Sequence, residues 1–242
     1  MTEIDVTTLW VYLSTTPLLG LTATFVAYGI AHRLYTYTNN NALLNPVVVS
    51  VGLLICFLVA TGTSYGAYFE GAQFVHFLLG PATVALAVPL YQQWAQVKKI
   101  WLAVAITLII GVTVGALSSV IIAQYLGATL ETQLSLAPKS VTAPVAMGIA
   151  ESIGGLPSLT AVMVMATGVS GAIMGTQLLA LFNINDDRIK GVAMGIAAHG
   201  IGTARAFQVS RTMGAFSGLA MALSALTAAL LLPWLVGQLA LV

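Results

Sequence analysis

Five stretches of this chain, 6–31, 71–97, 100–130, 152–185 and 212–242, contain no Asp, Glu, Lys or Arg. Each exceeds the roughly 20 apolar residues that carry a helix across a bilayer. Stretch 34–69 is also uncharged, but TYTNNN at 36–41 marks a loop ahead of a further span at 43–61. Only 6% of the 242 residues are charged and 59% are hydrophobic, against about 25% charged in a soluble domain. There is too little charge to solvate a globular surface, so most of the outer surface faces lipid. The expectation is an all-α polytopic membrane protein with six to eight transmembrane segments. It forms a single integral membrane domain over 1–242 in the cell's inner, cytoplasmic membrane.

Several function classes fall away. A net charge of +1 argues against nucleic acid as a partner. Glu3 and Asp5 stand where a cleavable signal would carry Lys or Arg. The single cysteine, Cys56, lies inside a span and forms no intrachain disulfide. The three histidines lack metal-ligand spacing, and GxxxxGK[ST], HExxH and GxSxG are all missing. No metal, no cofactor, no enzymatic activity and no ATP-driven transport by this chain alone are expected.

Charge placement sets the topology, because cytoplasmic loops collect Lys and Arg. With the N-terminus outside, Arg33 and the Lys98–Lys99 pair fall inside, while Glu70 and Glu131 fall outside. If 136–155 and 190–206 dip into the membrane and return, Arg188, Lys190, Arg205 and Arg211 fall inside too, and Lys139 is the one exception. Eight full crossings are the competing arrangement. VAMGIA occurs at 145–150 and again at 192–197. The two segments then read as broken or re-entrant helices in an inverted internal repeat, as in secondary transporters. LGPATVALAV at 79–88 matches LAPKSVTAPV at 136–145 more weakly.

Irregular backbone at membrane depth is tolerated only where it is buried in protein or lines a wet cavity. Pro138, Pro144 and the Gly154–Gly155 pair therefore predict a short helix with exposed ends. A helix beginning near Pro138 would offer free N–H groups and a positive dipole end, with the Ser140 and Thr142 hydroxyls and the Lys139 ammonium alongside. That set suits a small carboxylate; the plainer reading has Lys139 snorkelling to the headgroups. Glu151, in the last turn before the glycine pair, binds a coupling cation or proton, or faces water. His199 could carry a proton or bond a substrate oxygen, with Thr203 four residues on and on the same helical face, or it could hold two segments together. Arg205 is suited to clamping a carboxylate or to snorkelling. Pro81 and Pro89 break and close the span at 70–92, and Gly202 permits close packing beside His199.

Three runs, LGPATVALAVPLY (79–91), LAPKSVTAPVAMGIAESIGGLPSL (136–159) and GVAMGIAAHGIGTARA (191–206), resemble the LrgB/CidB family of membrane proteins. The likeness covers roughly residues 43–242, and Pro81, Pro89, Pro138, Ser140, Thr142, His199, Gly202 and Thr203 match its pattern. The resemblance implies handling of small organic anions, as in the plant plastidic glycolate/glycerate translocator, which is a family member, and in relatives tied to pyruvate uptake. For other bacterial members it implies an antiholin-like role in regulating murein hydrolase activity and lysis, beside a smaller LrgA/CidA-like membrane partner. The main expectation is thus a gradient-driven secondary transporter of small monocarboxylates, and the rival is a holin-like pore component. A homo-oligomer fits either. An intramembrane hydrolase using His199 and a serine is a third reading, with no nucleophile motif behind it.

Overall fold

The structure, a computed structural model, describes residues 17–38, 41, 44–78, 88, 91 and 94–238. It is helical, with no strand among the described residues, and divides into two compact units, Met1–Ala85 and Leu86–Val242.

The first unit contains α1 (Pro17–Tyr37), α2 (Pro46–Thr61) and α3 (Tyr65–Phe77). α1 stops at the expected 36–41 loop. The Asn45 side chain then accepts the Val47 N–H at 2.9 Å and Pro46 opens α2, where its missing N–H leaves no donor unpaired. Asn45–Pro46 is thus a cap leading into the helix. Gly62, at φ 64, closes α2. The Thr24 and Tyr68 hydroxyls, 2.9 Å apart, join α1 to α3. α3 begins before the expected span at 70–92 and carries Glu70 within it. Pro81 and Pro89 lie outside the described residues, as do 79–87 of the 79–88 run and the start of the first predicted span.

The second unit contains α4 (Trp94–Tyr125), α5 (Leu130–Leu136), α6 (Ala143–Ser152), α7 (Pro157–Leu181), α8 (Asp187–Val209) and α9 (Arg211–Gln238). Lys98–Tyr125, Pro157–Leu181 and Arg211–Gln238 are each long and apolar enough to cross a membrane, as three of the uncharged runs predict. They keep large apolar side chains outward, among them Trp101, Ile109, Ile122 and Leu230, as helices solvated by lipid do.

Between these rods lie two elements that fold back on themselves. In the first, α5 runs into a turn at 137–142 and α6 returns. The Leu156 N–H donates to Ser135 Oγ at 2.7 Å and the Thr160 hydroxyl to the Ser135 carbonyl at 2.9 Å. Ser135 and Leu156 are therefore adjacent, although α6 separates them in sequence. Gly155 is required there, since a Cβ would lie 2.8 Å from the Ser135 nitrogen, a backbone atom that cannot swing away.

The second fold-back is α8. A straight helix of its 23 residues would separate its ends by roughly 34 Å. Instead, Ser210 Oγ donates to the Asp187 carboxylate at 2.6 Å, so residues just inside one end and just beyond the other touch. The reversal is at His199, whose φ of 39 and ψ of −131 are non-helical. The limb before it and the limb after it both lie along the first half of α9. Gly191 faces Met213 and Ser217, and on the return Thr203 meets Ser217 and Gly214 meets Phe207.

The fold-backs occupy opposite ends of the long helices. Val112 and Val120 of α4, Val164 of α7 and Leu232 of α9 enclose Leu134 and Ile149 of the first. Val104 and Leu108 of α4 with Phe216 and Leu219 of α9 enclose Val192 and Ile196 of the second. Two expectations need correction. α6 begins at Ala143 rather than near Pro138, because a helix already running at Ser140 would drive the Pro144 ring into the Ser140 carbonyl and lose a hydrogen bond. VAMGIA 145–150 leads away from its turn whereas VAMGIA 192–197 leads into its break. The two copies sit on non-equivalent limbs, and their glycines meet different surroundings: a Cβ at Gly148 would have nothing within 4 Å, whereas one at Gly195 would run into the Ser217 carbonyl oxygen.

Candidate functional site

The turns of the two fold-backs meet the same stretch of the bundle. Gly111 and Gly115 lie on successive turns of α4, roughly 6 Å apart along its axis. A Cβ at Gly111 would stand 2.9 Å from Ile196 Cγ2, three residues before the His199 break. A Cβ at Gly115 would stand 3.6 Å from Ser140 Oγ. Lys139 Nζ donates to the Gly115 carbonyl at 3.2 Å and lies 3.5 Å from Ser140 Oγ. Tyr125 lies roughly 15 Å further along α4, and Lys98 roughly 26 Å back. Lys139 Nζ thus meets α4 well inside its apolar length, a placement that does not favour the snorkelling reading.

On α7, Val164 serves both sides. Its side chain packs into the core around the first fold-back, and its carbonyl lies 2.9 Å from His199 Nε2. A carbonyl only accepts, so Nε2 carries the proton and Nδ1 of the neutral ring is the acceptor. The imidazole covers Gly168, where a Cβ would lie 2.6 Å from Cε1. The buried ring therefore sits in a socket made by the absence of a side chain.

The remaining predicted residues distribute around this centre. Pro138 is fully buried in the first turn. Thr142 occupies the N-cap position of α6 with extended backbone (φ −62, ψ 144), and its hydroxyl makes no capping bond. Pro144 is exposed in the first turn of α6. Glu151 is exposed in the last turn of α6, at the base of the fold-back and away from Lys139, and Gly154 follows at φ 86. Thr203 does not share a face with His199, because the break falls at His199 itself: the ring turns to α7, while Thr203 Oγ1 lies 2.9 Å from Ser217 Oγ on α9. Gly202 packs between the limbs against Ala198 and the Met194 carbonyl. Arg205 Nη1 donates to Gln208 Oε1 at 3.2 Å, toward the base of the fold-back rather than its turn.

Sequence reasoning passed over Gly115, Ser119, Gly168 and Ser217. Ser119 Oγ donates to the Ala116 carbonyl at 2.8 Å and the Leu136 carbonyl at 3.2 Å, pinning the first turn to α4. The available signal was GALSS at 115–119, a patch of small and hydroxylic residues in an otherwise bulky run. At the base of the second fold-back, the Asp186 side chain caps α8 through the Arg188 N–H at 2.8 Å and engages the Arg188 guanidinium through Nε and Nη2. That pairing holds the Asp186 carboxyl down to about 2. The described residues hold no group of side chains able to bind a metal ion. The first turn thus presents the Lys139 ammonium and the Ser140 hydroxyl, and the second the His199 imidazole, all on broken backbone.

The profile of the LrgB-like family matches residues 24–237. This chain belongs to the LrgB-like family. It is 30% identical over 213 residues to holin-like protein CidB of Staphylococcus epidermidis, covering 88% of this chain and 93% of the relative. It is 29% identical over 218 residues to antiholin-like protein LrgB of Bacillus cereus, covering 90% and 95%. Protein YxaC of Bacillus subtilis is 37% identical over 182 residues, covering 75% and 79%. No solved structure matches. Two of these relatives carry holin-like or antiholin-like names, and none of the three names specifies a carboxylate.

Proposed function

We propose that this LrgB-like chain is a holin-like or antiholin-like membrane component that governs the passage of small solutes. The two fold-backs enter the bilayer from opposite faces as an inverted pair, and their turns form the gate between them. One observation carries the reading: α5–α6 and α8 sit at opposite ends of α4, α7 and α9, and both turns rest on the Gly111–Gly115 stretch. Broken backbone at that depth is stable only in protein or beside water, so separating the turns would open a hydrated path. Basic residues at the α8 base, Arg188, Lys190 and Arg211, support a cytoplasmic orientation of that end in the inner membrane. An LrgA/CidA-like small membrane protein and further copies of the chain are the natural partners. The chain moves solutes and performs no chemistry on them.

A second reading, saturable transport of small monocarboxylates, is favoured by Lys139, a cation held on the Gly115 carbonyl beside Ser140. Reconstitution into liposomes separates the two. The first reading expects non-saturating flux of unrelated small solutes. Saturable, stereoselective flux of glycolate or lactate alone would overturn it in favour of the second. In either case Lys139→Met, which keeps the stem and removes the charge, should lower anion flux relative to neutral solutes, read as a change in their permeability ratio.

A further inference from the structure

Away from the turns, a cavity of about 320 Å³ lies between α4 and the first limb of α8. Its walls are Ile100, Val104 and Thr107 on one side and Ile189, Val192 and Ala193 on the other, with Asp186 and Arg188 at one end. From Ile100 to Thr107 it runs roughly 10 Å along α4. Val104 and Val192 form its floor by packing in one core cluster. It is apolar along its length and charged at one end only, the pattern of an amphiphile with its head at that end.

The charged end lies where α4 begins its apolar span at Lys98. Lys99 is one helical turn above Ala103, another wall residue, and so continues the same face. Lys98 sits over the Trp94 ring at 5.5 Å, an aromatic–basic pair typical of the headgroup level. Around this end, Lys98, Lys99, Arg188 and Lys190 outnumber Asp186 and Asp187. Asp186 engages the Nε–Nη2 edge of the Arg188 guanidinium, which directs the Nη1 amino group to a different acceptor. Arg188 Nη1 and the Lys99 ammonium are then the donors that this end offers a phosphate.

We infer that this groove binds an anionic phospholipid, with an acyl chain between α4 and the first limb of α8 and the phosphate on Arg188 and Lys99. Basic pockets between helices on the cytoplasmic side are the kind that take such headgroups. Because one wall is the limb that leads to the His199 break, the bound chain would brace the second fold-back against α4. The inference stands on the groove and its charges and does not require either reading of the solute path.

The test uses the full chain in mixed phosphatidylcholine–phosphatidylglycerol vesicles, with one or the other lipid brominated, and follows quenching of tryptophan fluorescence. The native chain should be quenched more by brominated phosphatidylglycerol at equal mole fraction. Arg188→Gln and Lys99→Gln should each reduce that preference by about fivefold, the weight of one basic residue near an anionic surface. Ala193→Phe, which fills the groove and leaves the charges, should weaken quenching by both lipids alike. Equal quenching by the two lipids in the native chain would overturn the inference, as would an unchanged preference in the Arg188 and Lys99 variants. So would a partner helix found cross-linked into the groove from Ala193→Cys in the Cys56→Ser background.

Discussion

The two fold-backs reach the same stretch of α4 by different means. The first is interrupted by its own composition: Pro138 lies in the turn at 137–142, Pro144 opens the helix after it, and Gly154 and Gly155 let the chain leave beside Ser135. The second has no proline. It reverses at one residue, His199, which adopts a left-handed φ of 39 that a side chain normally avoids. Such backbone typically stores about 1–3 kcal/mol and persists only where its surroundings enforce it. Here they are the Val164 carbonyl and the Gly168 socket on α7. The first break is therefore written into local covalent geometry, whereas the second depends on a neighbouring helix.

This contrast can be broken most forcefully at Gly155. Gly155→Ala would place its Cβ within 3.1 Å of three backbone atoms of Leu134 and Ser135, and should destabilise the protein by about 3 kcal/mol in detergent unfolding, the upper end for overpacking. Gly168→Ala meets side-chain atoms of His199 and Ile201 instead. Its effect should be smaller, about 2 kcal/mol, and limited proteolysis should show the loosening around residue 199 and not around 139. If Gly168→Ala loosens both regions equally, the two breaks are not independent in origin.

His199 sharpens the comparison further. His199→Ala loses the bond to Val164 but keeps the strained backbone; His199→Gly loses the same bond and relieves the strain. The glycine variant should therefore be the more stable of the two by at least about 1 kcal/mol. Glycine no better than alanine would mean that the backbone at 199 is not held under strain. Smallest is Thr203→Val, which removes the buried hydroxyl pair with Ser217. A loss of about 0.6 kcal/mol is expected, the average for interhelical hydrogen bonds in membrane proteins.

The contrast also accounts for what could be read in the sequence. The three long rods follow from uncharged runs, and α2, at Pro46–Thr61, falls within the span expected at 43–61. The first fold-back is legible because proline and glycine act on their own chain. The second could be suspected from Arg188, Lys190, Arg205 and Arg211 preferring one side and from the repeated VAMGIA, while nothing local in AAHGIG forbids a continuous helix. Its cause is Gly168, some thirty residues away, and a glycine in an apolar helix looks the same whether it faces lipid or accepts an imidazole. For the same reason Ser217 was invisible as an anchor, Ser119 showed only through the small, hydroxylic GALSS patch, and VAMGIA suggested an equivalence of place that the fold does not have.

The central claim is that 187–209 reverses at His199, so that both its ends lie on one side of the membrane. Single cysteines at Asn185 and Gln208, each in the Cys56→Ser background, can be labelled with an impermeant maleimide in sealed vesicles of known orientation. Both positions should react from the same side. Reaction from opposite sides would mean that the element crosses as one rod, and the account would be wrong.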